Sequence, residues 1–281
     1  MPISSFILRA LVVIAILAPG RAMAQRSDAD WLADCQSSDR HDRRETFCEV
    51  RVSAVRAAGG PISMEGLRNG GISATGWDRD SLVIRTRLRV EARTQARARE
   101  IAREVRTIIS GSTVTVEGPR PGGRDSDNDS DYNDEQWNAS LVAMVPRRSS
   151  LRLETRNGPV TVEGVTGLLN LETRNGPLTL RELGGDVRAR TTNGPLSITL
   201  AGNRWDGAGL DAQTTNGPLT INVPDGYNAK LETGTRNGPV NVGFPITVVG
   251  RINRDISTTL GAGGATIRAT TTNGPLTLRR K

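Results

Sequence analysis

From Leu151 to the end of the chain, apolar and polar positions alternate with a period of two, broken at intervals by the tripeptide Asn-Gly-Pro. The full phrase is Thr-(Arg/Thr)-Asn-Gly-Pro-(Leu/Val), and it begins at Thr155, Thr173, Thr191, Thr214, Thr235 and Thr271. Four residues before each Thr stand Leu151, Leu169, Val187, Leu210, Leu231 and Ile267. The columns two before, five after and seven after are also apolar, with Thr233 the one exception. Each unit therefore predicts a strand, a corner and a second strand, with one face buried.

Asn-Gly between two strands is the usual sign of a hairpin. Here Pro argues against it. In a two-residue turn around Asn157-Gly158, the next residue must donate its N–H back across the turn, and Pro159 has none. The fault would recur at Pro177, Pro195, Pro218, Pro239 and Pro275. A corner between two strands of one coil tolerates Pro, because each strand then pairs with the coils above and below. The expected fold is all-β, a parallel β-solenoid of Thr-x-Asn-Gly-Pro coils. Successive Asn are 18, 18, 23, 21 and 36 residues apart, so the longer intervals predict insertions around 203–207 and 244–264. Stacked corners would align the Asn side chains as an amide ladder, and Gly would permit a positive φ.

Upstream, Gly60–Gly66 and Arg68–Ile72 read as worn copies of the phrase. Leu82, Ile84, Thr86, Leu88 and Val90 alternate with Arg85, Arg87 and Arg89, as in a half-buried strand. Between 94 and 109 the period changes. Ala98, Ile101, Ala102, Val105, Ile108 and Ile109 form one stripe of an amphipathic helix. Thr113–Glu117 returns to strand.

The first residues predict an export signal, with the apolar run Ala10–Ala18 and a small-x-small site at Ala22-Met23-Ala24. The expected organisation is a leader (1–24), a disulfide-containing segment (25–57), an irregular β region with the helix (58–118), an acidic loop (119–136) and regular repeats (137–281). Cys35 and Cys48 are the only cysteines and predict one disulfide in an oxidising compartment. The compartments that fit are the periplasm, the cell surface or the medium.

The formal net charge is +7, carried almost entirely by Arg, and aromatic residues make up 3%. That composition disfavours a nucleic-acid module. It suits contact with an anionic envelope polymer or glycan, and Arg156, Arg174 and Trp205 are the candidate contacts. Asp125, Asp127 and Asp129 copy the opening of a calcium loop, but Ser130 and Gln136 replace its Gly and Glu. No other cofactor is implied. His41 is the only histidine, and no catalytic motif is present. Asp206 and Asp211 are the acids an enzyme reading would use.

Several segments resemble the DUF4097 family: Trp137–Pro146, the serial Thr-x-Asn-Gly phrases, Trp205–Ala212, Val223-Pro224 and Phe244-Pro245. The resemblance covers most of 48–281. It implies an exported, adhesin-like bacterial β-solenoid and supplies no catalytic residues. The expected function is non-enzymatic binding or scaffolding at the cell envelope. A polysaccharide lyase or hydrolase and a calcium-dependent adhesin are the alternatives.

Overall fold

The computed structural model describes residues 27–37, 44–66, 69–119, 135–245 and 255–281. The expected leader, His41 and the calcium candidates Asp125, Asp127 and Asp129 lie outside the described residues. The chain opens with helix α1 (Asp28–Ser37) and strand β1 (Glu45–Arg56). Strands β2 (Ile62–Glu65), β3 (Ile72–Trp77) and β4 (Ser81–Ala92) follow, then helix α2 (Gln95–Glu104). Next come β5 (Arg106–Ser110), β6 (Thr113–Glu117) and β7 (Gln136–Pro146). Asn-Gly-Pro then joins β8 (Leu151–Asn157) to β9 (Val160–Glu163), and β10 (Thr166–Asn175) to β11 (Leu178–Arg181). It also joins β12 (Gly184–Asn193) to β13 (Leu196–Thr199), β14 (Gly209–Asn216) to β15 (Leu219–Val223), and β16 (Ala229–Asn237) to β17 (Val240–Val242). After β18 (Asp255–Leu260), the last copy joins β19 (Thr266–Asn273) to β20 (Leu276–Arg280).

The strand before each corner lies in one sheet and the strand after it in the other. The first sheet runs β1-β4-β7-β3-β9-β11-β13-β15-β20-β17, and the second β18-β16-β19-β14-β12-β10-β8-β2-β6-β5. Within the repeats the neighbours are parallel and in register, so Leu151, Leu169, Val187 and Leu210 stack directly. The apolar columns fill the space between the sheets, and Leu153, Leu171, Leu178 and Leu196 are buried there. The result is a narrow, solenoid-like core of aliphatic side chains.

The backbone pairing continues around the corner. Each corner Gly N–H inside the stack donates to the Asn carbonyl of the next coil, as Gly158 does to Asn175 at 3.0 Å and Gly176 to Asn193 at 2.9 Å. The Pro carbonyl accepts from the following apolar residue of its neighbour, Val160 to Pro177 and Leu178 to Pro195 at 2.9 Å. The Gly carbonyl takes the inward Thr hydroxyl: Thr173 to Gly158 at 2.9 Å, Thr191 to Gly176 at 3.0 Å. These hydroxyls are buried, so the bond satisfies a polar group that would otherwise be stranded in the core. Pro stands at the one corner position where no donor is used. Pro177→Ala should therefore cost under about 1 kcal/mol, because the new N–H reaches water at an exposed position. A urea melt checks this; a loss of several kcal/mol would mean that Pro holds the corner by itself.

Positive φ does not explain five of the six repeat-corner glycines; Gly274 alone has one, at 156°. Gly158, Gly176, Gly194, Gly217 and Gly238 all lie outside the positive-φ set. Their reason is close approach: a Cβ on Gly176 would stand 2.2 Å from the Gly158 carbonyl oxygen, and one on Gly194 2.0 Å from that of Gly176.

Four features depart from the pattern reading. The coils are not stacked in chain order. β19–β20, last in sequence, lies between β14–β15 and β16–β17, while β6 and β7 flank β2 and β3 on the outer side. The helix is shorter than its apolar stripe: Val105 caps it by donating to the Ile101 carbonyl at 3.3 Å, and Ile108 and Ile109 belong to β5 instead. The polar N-terminal segment holds a 12-residue strand, β1, antiparallel to β4. Part of the 244–264 insertion is the edge strand β18, antiparallel to β16.

Cys35 and Cys48 form the expected disulfide, which ties α1 to β1. Asp28 of α1 adds ion pairs to Arg85 at 3.2 Å and Arg87 at 3.0 Å. The enclosed loop is short, with a separation of 13 residues, so reduction should lower stability by about 3 kcal/mol on the chain-entropy account. Melting with and without reductant measures it. An unchanged midpoint would show that α1 contributes nothing to the cooperative unit.

Candidate ligand-binding face

The corner positions place three rows of polar side chains along the edge of the second sheet. The outermost is an amide ladder. Asn157 donates to Asn69, Asn175 to Asn157, Asn193 to Asn175, Asn216 to Asn193, Asn273 to Asn216 and Asn237 to Asn273, at 2.7–3.0 Å. The second row begins with Arg156 and Arg174 on adjacent coils. Both are exposed, and neither has a hydrogen bond or ion pair to another described residue. The third row is acidic: Glu65 stands beside Glu154, and Glu154 beside Glu172, in strict register. Arg156, Arg174 and these three glutamates line one shallow groove. A second hollow joins the same arginines to Asn157, Asn175 and Asn193.

These rows stack like charges at the strand spacing of about 4.8 Å. Like charges directly opposite each other destabilise a sheet. A few residues away the same sheet does the reverse. There Glu232, Arg268, Asp211 and Arg188 are consecutive across four strands and alternate in sign. Arg268 binds Glu232 at 2.6 Å, and hydrogen bonds from Lys230 and Arg268 hold the Glu232 carboxyl below its usual range. The Arg156–Arg174 face thus lacks the charge alternation that stabilises its neighbour. Its relief is confined to Arg152 with Glu154, at 3.7 Å, and to Arg190, which stands in register beside Glu172.

Trp205 does not belong to this face. Its ring is buried, and its indole N–H donates to the Gly185 carbonyl at 2.9 Å, so it anchors a corner insertion instead of presenting a stacking surface. Trp77 is fixed similarly, by a bond to the Ser81 carbonyl at 2.8 Å. The neighbouring Asp78 is committed to Arg147, whose hydrogen bond and charge hold its carboxyl below the usual range. Asp211 accepts from Gln213 at 3.2 Å and lies in register between Arg188 and Arg268. Among the described residues, no group of three or more His, Cys, Asp or Glu side chains has the geometry to hold a metal ion. The glutamate row went unread in the sequence, although Glu154 and Glu172 occupy the same column one coil apart.

In-register parallel strands turned by Asn-Gly-Pro corners define an all-β, solenoid-like repeat protein. The chain belongs to the Toastrack DUF4097 family, whose model matches residues 57–279. No relative was found among curated proteins. Similar solved structures include a "putative cell adhesion protein" from Clostridium sporogenes ATCC 15579, at 11% identity and a TM-score of 0.44, covering 84% of this chain and all of that one. A "putative adhesin" from Parabacteroides distasonis ATCC 8503 has 9% identity and a TM-score of 0.32, covering 79% of this chain and 97% of its own. A "putative lipid binding protein" from the same organism has 7% identity and a TM-score of 0.27, with coverages of 82% and 96%.

Proposed function

We propose that this protein is an exported, non-enzymatic scaffold that holds an acidic glycan of the cell envelope along its Asn–Arg–Glu face. The carrying observation is the stacking of Arg156 on Arg174 on adjacent coils, without a partner among the described residues, on a sheet whose Glu232–Arg268–Asp211–Arg188 row alternates its charges. Guanidinium groups suit carboxylate or phosphate oxygens. The glutamates alongside accept from ring hydroxyls, and the amide ladder offers both donors and acceptors. A linear polymer lying parallel to the solenoid axis would meet the amide ladder at each corner and the Arg–Glu chemistry on two adjacent coils, Glu154 with Arg156 and Glu172 with Arg174. The disulfide fits an exported setting. No helix among the described residues is long and apolar enough to cross a membrane.

The test is calorimetric titration with oligogalacturonate and with a neutral cello-oligosaccharide, at low and high salt. The acidic sugar should bind at low salt and weaken as salt screens the contacts. Arg156→Gln and Arg174→Gln should each reduce affinity about tenfold, as expected when a charged hydrogen bond is lost. Equal binding of the neutral sugar, or full affinity in the double variant at an unchanged melting temperature, would end this reading.

A further inference from the structure

The repeat makes the chain unusually rich in Asn-Gly, the dipeptide most prone to intramolecular deamidation, because glycine puts no side chain in the way of its own nitrogen. Seven such pairs lie among the described residues, at Asn69, Asn157, Asn175, Asn193, Asn216, Asn237 and Asn273. We propose that the coil stacking protects six of them and leaves Asn237-Gly238 as the modification site of the protein.

The reaction requires the Gly nitrogen, stripped of its proton, to attack the Asn Cγ. A nitrogen–Cγ bond forms, the Cγ–Nδ2 bond breaks, and Nδ2 takes up a proton and leaves as ammonia. Water then opens the cyclic imide at either carbonyl, giving aspartate or isoaspartate. One water is consumed and one ammonia released, and no oxidant or reductant is needed.

At six corners the nucleophile is occupied. The N–H groups of Gly70, Gly158, Gly176, Gly194, Gly217 and Gly274 each donate to the Asn carbonyl of the adjacent coil, at 2.9–3.0 Å. These glycines are also partly covered. The coil β16–β17 is the last of the parallel coils, with only the antiparallel β18 outside β16, and among the described residues no Asn-Gly corner lies beyond it. Gly238 is exposed, and its N–H has no partner among the described residues. Among the described residues the Asn237 side chain has one partner, Asn273, to which it donates at 2.8 Å. Asn69, at the opposite end of the ladder, separates the two requirements. Its amide accepts from Asn157 and donates to no described residue, yet its Gly70 nitrogen is tied to the Asn157 carbonyl at 3.0 Å. If the nucleophile decides, Asn237 reacts first and Asn69 stays intact.

The experiment is incubation at mildly alkaline pH with peptide mapping by mass spectrometry, once in native buffer and once in concentrated urea. In native buffer Asn237 should convert at least about tenfold faster than any other pair, the factor set by opening one backbone hydrogen bond. In urea the seven rates should converge, since the protection belongs to the fold. Asn237→Gln should abolish the fast phase. Interior sites reacting as fast as Asn237 in native buffer, Asn69 reacting first, or a fast phase surviving in the Gln variant would each overturn the proposal.

Discussion

Ending the chain at Ala262 should destroy the cooperative folding of the C-terminal coils, although only the last two strands are removed. Residues 263–281 are an interior layer: β19 pairs with both β14 and β16, and β20 with both β15 and β17. Their removal withdraws Ile267, Leu276 and Leu278 from the core, each fully buried and each worth roughly 1.5–3 kcal/mol. It also leaves β16–β17 with no parallel neighbour. That loss rivals the whole stability of an ordinary domain, about 5–15 kcal/mol. The gap cannot close without penalty, because direct pairing of β16 with β14 in the same register would set Glu232 against Asp211. In the intact protein Arg268 stands between those carboxylates. Urea denaturation and amide exchange would measure the effect. Protection over Gly209–Asn237 should collapse while β8–β13 remain protected. A truncated chain that melts like its parent would show that the coil order is not selected by outer-face charge. Partial rescue by Glu232→Gln in the truncated chain would show that it is.

Gly176→Ala should be a severely damaging methyl addition in the repeat, costing about 3 kcal/mol or more. The new Cβ would lie 2.2 Å from the Gly158 carbonyl oxygen and 2.6 Å from its carbon. Both are backbone atoms in a hydrogen-bonded strand pair, so no side chain can rotate aside. Relief requires prising two coils apart, which strains the Asn175–Asn157 amide bond and the Thr173–Gly158 bond together. Gly202→Ala is the comparison: nothing stands within 4 Å of its Cβ, and its penalty comes only from φ of 70°. That should be about 1–2 kcal/mol. If the two variants melt alike in urea, coil contact is not what demands glycine at the corner.

Other parts of the molecule differ in how far their sequence exposes them. The Leu151, Leu153, Val160 and Val162 columns could be read directly, because a period of two admits one assignment of faces. The corner could also be read, because Pro removes a donor that a hairpin needs. β1 was less legible. Its inward side carries Glu49 and Arg51, which pair with each other at 2.7 Å, and Arg51 also caps α2 by donating to the Ala102 carbonyl at 2.6 Å. Charges satisfied by a helix end look like surface charges in a bare sequence. The stripe to Ile109 overran α2 for a related reason: Ile108 and Ile109 suit a strand equally, and pairing of β5 with β6 claimed them. Of the candidate contacts, Arg156 and Arg174 share the expected face, whereas Trp205 is spent on the core.

By itself the sequence determined the strand faces, the corner and the disulfide, since each follows from residues near one another along the chain or from a pair with no alternative partner. Only the tertiary structure decided the order of the coils and the charge rows on their outer face. Every coil offers nearly the same apolar columns, so the core permits any stacking order. The choice falls to the outer charges and the chain ends, which meet only when the coils are assembled.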